Sequence, residues 1–223
     1  MKRIGEMIYL VEDDPHVREG ISAFLTAMEL EVLCFRSAAE YLAYVRSDVS
    51  ACLILEMELK DMHGLELQRR LAGELGPPII FISEHRSVLS IVSAMKAGAV
   101  ECLTKPVDHE ALLMAIEAAL AQDRRVRQKQ ADKARLRERL YSLTPRQREV
   151  FSLVVGGLLN KQAAAILDIS EVTLQIHRSQ IMRKMAADSF AELVRMAVKL
   201  HIPYWRAAST GECLSSSKVL LNR

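Results

Sequence analysis

The chain is poor in the features that brace secreted domains or anchor proteins in lipid. Only 4 of its 223 residues are cysteine, and Cys34, Cys52, Cys102 and Cys213 share no metal-like spacing. The first three lie in apolar surroundings, which predicts buried free thiols in a reducing compartment and argues against a disulfide framework. No apolar run approaches the roughly 20 residues that span a bilayer. Met1-Lys2-Arg3 precedes only the short run Met7–Val11, with acids directly after it, so a signal-peptide core is not expected. These absences predict a soluble, cytoplasmic protein without a membrane partner. At 50% hydrophobic residues the chain also falls outside the range of disordered sequences.

A near-neutral total hides two unlike halves. Residues 1–122 hold 11 Lys/Arg against 19 Asp/Glu, whereas residues 123–223 hold 19 against 9, giving nets of −8 and +10. A division into at least two domains follows, and the basic one favours a polyanionic partner such as nucleic acid.

In the acidic half, short continuous apolar runs alternate with helical periods. Met7–Val11, Glu31–Cys34, Ala51–Leu55, Ile79–Ile82 and Val100–Leu103 read as strands, most of them covered on both faces. Helical spacing fits Val17–Met28, Ala38–Val45, Leu65–Leu75, Val88–Ala97 and Glu110–Ala121. The alternation predicts an α/β fold, a doubly wound five-stranded parallel sheet with right-handed crossovers. Ligands of such sheets sit beyond the carboxyl ends of the strands. Glu12, Asp13 and Asp14 follow the first strand, Glu56 ends the third, Ser83 the fourth, and Lys105 follows the fifth. The set suits acyl-phosphate chemistry: paired acids offer hard oxygens to Mg²⁺, a hydroxyl and a lysine meet phosphoryl oxygens, and the central carboxylate is the nucleophile. Glu58 and Asp61, further into the loop, are expected to stay in solvent.

Asp123 to Arg139 is rich in Arg and Lys and has no Gly or Pro, so residues 123–140 are expected to form a helical linker, a solvated extension of the preceding helix. Beyond it, Thr144-Pro145-Arg146-Gln147 is a helix start with a cap, a first-turn proline and a capping-box spacing, and Gly156-Gly157 closes that helix. A second helix begins near Asn160. Asp168-Ile169-Ser170 makes a turn into a third, Glu171–Met185, and a fourth runs from Phe190 to Leu200. Two helices joined by a tight turn suit entry into a major groove. Val172, Ile176, Met182 and Met185, with Leu174 and Ile181, are expected in the core. Thr173, Gln175, Arg178, Ser179 and Arg183 are expected outside, Gln175 toward adenine and Arg178 toward guanine or phosphate. Lys161, Arg183 and Lys184 suit the DNA backbone. His177 reads as a packed or phosphate-contacting residue. Leu193, Val194, Ala197 and Leu200 form a stripe on the last helix that fits either a dimer contact or ordinary core. The tail over residues 202–223 is less patterned, with Tyr204 and Trp205 docking locally and Ser215-Ser216-Ser217 in a mobile stretch.

Together these motifs resemble the bacterial two-component response regulators of the NarL/FixJ family. Residues 1–122 resemble the receiver domain: Glu12 and Asp13 stand at its metal-binding acid pair, Leu53-Ile54-Leu55-Glu56 at the phospho-acceptor, Ser83 at the switch hydroxyl, and Lys105-Pro106 at its lysine and following proline, often joined by a cis bond. Residues 141–201 resemble the four-helix LuxR-type domain through Leu143-Thr144-Pro145-Arg146-Gln147-Arg148-Glu149-Val150, Asn160-Lys161-Gln162-Ala163-Ala164 and Ile169-Ser170-Glu171-Val172-Thr173-Leu174. The resemblance implies Mg²⁺ held by Glu12, Asp13 and Glu56, a phosphate-sensing set of Ser83, Lys105 and Cys102, and DNA contacts from Lys161, Thr173, Gln175, Ile176 and Ser179. It also implies double-stranded promoter DNA, a homodimer and a sensor histidine kinase as partners.

Three positions depart from the pattern: Glu56 replaces Asp, Lys60 stands where a proline usually shapes the loop, and Cys102 replaces a coupling aromatic. Glu56 is open to two readings, a built-in negative charge that holds an active-like state or a dead switch on a dimerisation scaffold. For the whole chain three functions remain: a DNA-binding regulator that is constitutive or takes another input, a phosphorylation-competent regulator, and a dimerising modulator of a relative. Enzyme activity on metabolites has little support, since the one reactive-looking rim already has a signalling assignment.

Overall fold

The computed structural model describes residues 5–72, 76–84 and 87–202. Tyr204, Trp205, Cys213 and Ser215-Ser216-Ser217 lie outside them. The chain divides into two compact units, Met1–Lys129 and Gln130–Arg223. In the first, β1 (Glu6–Val11), α1 (Pro15–Ala27), β2 (Val32–Phe35), α2 (Ala38–Ala43), β3 (Ser50–Glu56), α3 (Gly64–Leu71), β4 (Ile79–Ser83), α4 (Val88–Lys96) and β5 (Glu101–Thr104) alternate, and α5 (His109–Tyr141) follows. The strands pair in parallel in the order β2-β1-β3-β4-β5.

Side chains of a strand point alternately to opposite faces, and each face here has its own apolar layer. Ile8, Leu10, Cys52, Ile54, Ile80 and Ile82 pack with Ile21 and Leu25 of α1 and Leu112, Ile116 and Leu120 of α5. Tyr9, Val11, Leu53, Leu55 and Phe81 pack with Tyr41 of α2, Leu67 and Leu71 of α3 and Ala94 of α4. The continuous apolar runs are thus buried on both sides, as parallel strands under helices must be. Cys52 is fully buried, and that burial pushes its thiol far above the ordinary range, consistent with an inert packing residue.

The second unit contains α6 (Pro145–Val155), α7 (Asn160–Leu167), α8 (Glu171–Met185) and α9 (Phe190–Lys199). Thr144 Oγ1 accepts from Gln147 N at 3.2 Å, and Gln147 Oε1 accepts from Thr144 N at 3.0 Å, which completes the capping box. After α6, Gly157 takes a left-handed φ of 91°, a conformation that favours glycine. Asp168 closes α7 in the left-handed region, and Ser170 caps α8 by accepting from Thr173 N at 3.1 Å. Leu193, Met196 and Ala197 of α9 are buried, so Leu193 and Ala197 of the expected stripe belong to the core.

The stretch 123–140 is the helical continuation of α5 and is exposed over most of its length, as expected, but it is anchored near both ends. Asp123 is buried; its Oδ2 accepts from Ala51 N at 3.0 Å and from Arg127 Nε at 2.6 Å. Arg127 also reaches Asp48, and Arg124 pairs with Glu6. At the other end Leu136 is buried in the core of the second unit. The reason is visible only in three dimensions: one carboxylate of a charged run satisfies a β3 amide that the sheet leaves open. Replacement of Asp123 by Ala is expected to lower unfolding free energy by about 1–3 kcal/mol. Asp123→Asn is expected to cost less, because it keeps an acceptor for Ala51. Denaturant unfolding of the two variants checks this.

Candidate functional site

The carboxyl ends of β1, β3, β4 and β5 form one rim. Glu12 follows β1 and is fully buried; Glu56 ends β3 and is 5% exposed. The Lys105 ammonium lies between them, with Nζ 2.8 Å from Glu12 Oε2 and 2.5 Å from Glu56 Oε2. Glu12 Oε1 accepts from Asp14 N at 3.0 Å, and Glu56 Oε1 accepts from Glu58 N at 3.0 Å. Ser83 is buried at the end of β4, and its carbonyl accepts from Lys105 N at 2.9 Å, which sets the lysine's starting point. The Lys105-Pro106 bond is cis. Cys102 is half-buried two positions before the end of β5, opposite Phe81, and burial raises its thiol above the usual range, followed by the charges of Glu101 and Glu56.

The acids after β1 divide their work. Asp14 Oδ1 accepts from His16 N at 2.8 Å and Val17 N at 3.3 Å, so it starts α1. Those amides hold its carboxyl below the ordinary aspartate range, Val17 first and His16 next. Asp13 points to Lys60, with Oδ2 3.3 Å from Nζ. In the sequence Lys60 stands out only as a departure from the pattern, and its neighbours Glu58 and Asp61 give no sign that its ion-pair partner is Asp13. Asp61 is exposed, as expected, and also accepts from Ala38 N at 3.2 Å and Ala39 N at 2.9 Å, which ties the loop after β3 to the start of α2. Gly64, where α3 begins, has to lack a side chain: an added Cβ would lie 2.8 Å from Glu56 O.

Burial raises Glu12 above the ordinary glutamate range, against the lowering effect of Lys105 and the Asp14 amide. Burial alone would lower Lys105, but its contacts with Glu12 and Glu56 outweigh that and raise it. Glu12 Oε2 and Glu56 Oε2 have no well-aligned hydrogen-bond donor; their contact with the ammonium is an ion pair at short range. Among the described residues no group of three or more His, Cys, Asp or Glu side chains is arranged around one metal position. Mg²⁺ needs fewer protein ligands than that, since it takes one or two carboxylates and keeps its waters. Glu12 Oε2 and Glu56 Oε2 are hard oxygens of the kind Mg²⁺ takes, but both are in contact with the Lys105 ammonium, which a bound cation would displace.

The second candidate surface is the outer face of α8. Val172 is 67% and Ile176 53% exposed, and Gln175, Ser179 and Arg183 are exposed with them. This corrects the expected core, because Leu174, Ile181 and Met185 hold the inner face and residues 172 and 176 stand two positions away from 174, turned through about 200°. Thr173 is half-buried and its hydroxyl lies 2.8 Å from Ser170 Oγ. Lys161 is exposed in the first turn of α7. His177 is half-buried and its Nδ1 has no hydrogen-bond partner among the described residues.

Two cations assigned to DNA are engaged within the unit. Arg178 donates to Asn160 Oδ1, and its guanidinium lies 5.0 Å from the centre of the Phe190 ring, so it joins α7, α8 and α9. Lys184 Nζ donates to Ser142 O at 2.8 Å and Gln147 Oε1 at 2.9 Å, which fixes the end of α8 to the start of α6. Sequence spacing put both on a polar side but could not show carbonyl and amide acceptors within reach.

Two outcomes follow from this geometry. Because Lys105 is raised in the folded state, its stabilising contribution is complete below lysine's ordinary 10.5 and is lost as pH climbs through the folded value. Lys105→Met is therefore expected to cost about 3 kcal/mol at neutral pH, with the deficit narrowing at strongly alkaline pH in unfolding titrations. In DNA-binding titrations, Lys184→Met is expected to lower thermal stability while leaving the salt slope intact. Lys161→Ala is expected to reduce the slope by about one.

Comparison with known proteins agrees with the division into these two domains. Residues 8–117 match the response regulator receiver domain, and residues 141–197 match the bacterial regulatory proteins of the luxR family. The chain is 43% identical over 198 residues to response regulator protein TodT of Pseudomonas putida, covering 88% of this chain and 87% of that one. It is 37% identical over 192 residues to transcriptional regulatory protein FixJ of Rhizobium meliloti, covering 86% and 94%. Among solved structures, response regulator StyR is similar at a TM-score of 0.78 and 40% identity, covering 87% of this chain and 99% of that one. Among the described residues, no helix is long and apolar enough to cross a membrane. With a receiver unit whose acids, hydroxyl and lysine meet at one rim and a helical unit that turns α8 outward, the chain belongs to the NarL/FixJ-type response regulators, transcription regulators and not enzymes.

Proposed function

We propose that this regulator binds selected promoter DNA without a phosphoryl group on its receiver, the contact between Glu56 and Lys105 standing in for the one a phosphoryl group would make. The observation that carries this is the 2.5 Å separation of Glu56 Oε2 from Lys105 Nζ. The other oxygen of Glu56 is taken by the Glu58 amide, so neither is free for in-line attack on a phosphodonor. Displacement of a reacting atom by 1 Å already costs about 100-fold, and the extra methylene of Glu moves the carboxylate by about one bond. Glu12, Asp13 and Glu56 are the residues that would hold Mg²⁺, which when bound supplies charge neutralisation at the rim.

On the DNA side, Gln175, Ile176, Ser179 and Arg183 form the reading face, Thr173 starts it and Lys161 positions the backbone. Two copies on paired half-sites are the expected assembly. The exposed Val88, Leu89, Val92 and Met95 of α4 favour self-association of the receiver. A second reading, a phosphorylation-competent receiver served by a sensor kinase, draws on Ser83 and Lys105 standing at the ends of β4 and β5.

Incubation with acetyl phosphate and Mg²⁺, followed by intact-mass measurement, separates the two. No adduct on the native protein, and DNA affinity unchanged by the donor, is the expected result; a stable adduct on Glu56 would overturn the proposal in favour of the second reading. Glu56→Asp is expected to gain labelling, because the shorter carboxylate retreats from Lys105.

A further inference from the structure

The rim carries three carboxylates, Glu12, Asp13 and Glu56, and two ammonium groups in contact with them. Lys105 answers Glu12 and Glu56; Lys60 answers Asp13 at 3.3 Å. The two lysines differ in kind. Lys105 has a side chain 11% exposed and is fixed between strand ends, whereas Lys60 is 82% exposed on the loop after β3 and reaches across to the loop after β1. Among the described residues no other cation pairs with the Asp13 carboxylate, whose side chain is 17% exposed, while Arg18 Nη1 donates to the backbone carbonyls of Glu12 at 2.8 Å and Asp13 at 3.4 Å. Lys60 therefore removes one unit of negative charge from the side of the rim that faces solvent, the side by which a hydrated cation would arrive.

We propose that Lys60 is a resident counter-cation of the acid rim that competes with a divalent metal for Asp13 and sets the metal affinity of this receiver. The inference rests on the reading of the rim as the receiver's metal site. With Lys60 in place the five groups sum to a single negative charge; without it they sum to two, and a dication gains both the freed Asp13 oxygens and relief from repulsion by the ammonium. An exposed ion pair is worth only about 0.2–1 kcal/mol, and unit charges 4 Å apart in water interact by about 1 kcal/mol. The two contributions together correspond to a change of roughly eight- to thirtyfold in metal affinity, since tenfold is about 1.4 kcal/mol. The effect belongs to charge at an exposed site, so it fades as salt shortens the screening length from about 10 Å at 0.1 M toward about 3 Å at 1 M.

The test is titration of the full chain with Mg²⁺, read by thermal unfolding, and with Mn²⁺, read by its electron paramagnetic resonance signal, for the native protein, Lys60→Gln and Lys60→Arg. Lys60→Gln is expected to bind both metals roughly eight- to thirtyfold more tightly than the native protein, with Lys60→Arg close to native and the difference shrinking in high salt. Equal affinity in native and Lys60→Gln protein overturns the proposal. So does equal tightening in the Gln and Arg variants, which would assign the effect to loop shape, and so does an absence of metal binding in all three. DNA selection carried out in EDTA reports separately on the phosphate-free function, so failure of that function and failure of the Lys60 inference are distinguishable.

Discussion

The receiver unit is organised around one ammonium group. Lys105 holds Glu12 and Glu56 at 2.8 Å and 2.5 Å, at the ends of β1 and β3, while its own amide is bonded to the end of β4. Two buried carboxylates side by side are unfavourable without a cation between them, and a buried lysine is unfavourable without acids. Each group thus makes the others tolerable, and four strand ends meet at the same point. The parallel sheet supplies the positions, because apolar layers on both faces confine polar groups to the strand ends, and the carboxyl ends bring Glu12, Glu56 and Lys105 together. The loop after β3 is held to that point by the Glu58 amide, and Asp61 joins the same loop to α2.

In the basic unit the net charge overstates the cations available to DNA. Arg139 donates to Met185 O at 3.0 Å, Arg148 to Leu143 O at 3.1 Å and Arg146 to Leu167 O, while Lys184 reaches Ser142 O. Most of these carbonyls lie at or just beyond helix ends, where no intrahelical donor remains and a cation also meets the negative end of the helix dipole. The same side chains fix α6, α7 and α8 against one another. What is left outward on α8 is mixed: Gln175 and Ser179 for hydrogen bonds, Val172 and Ile176 for apolar contact, Arg183 for phosphate or base. A face of that composition offers more hydrogen-bonding and apolar groups than charges, which suits contact with base edges better than general attraction to a polyanion.

Much of this was legible in the sequence because it is written in local periodicity. The strand runs, the capping box at Thr144 and Gln147, the turn at Asp168 and the convergence of Glu12, Glu56, Ser83 and Lys105 all follow from spacing and from the rule that ligands sit beyond strand ends. What spacing could not give was direction and partnership. Ile176 was placed inward from its apolar character, yet the inner face was already filled by Leu174, Ile181 and Met185. Arg178 and Lys184 were placed on DNA from their charge, yet acceptors lay close by on other helices. Asp123 looked like part of a charged linker, and only the fold brings it to the Ala51 amide. Lys60 was noted for what it replaced and not for the carboxylate it meets.

The central claim is that the Glu56–Lys105 contact sustains the DNA-competent state in the absence of a phosphodonor. Its most direct measurement is the ratio of specific to non-specific DNA affinity, for fragments selected by the native protein, compared between native and Glu56→Gln chains at one salt concentration without donor. Loss of most of that ratio in Glu56→Gln, with non-specific affinity retained, is the predicted result. An unchanged ratio would contradict the account and leave Glu56 as a silent replacement in a receiver that does not govern binding.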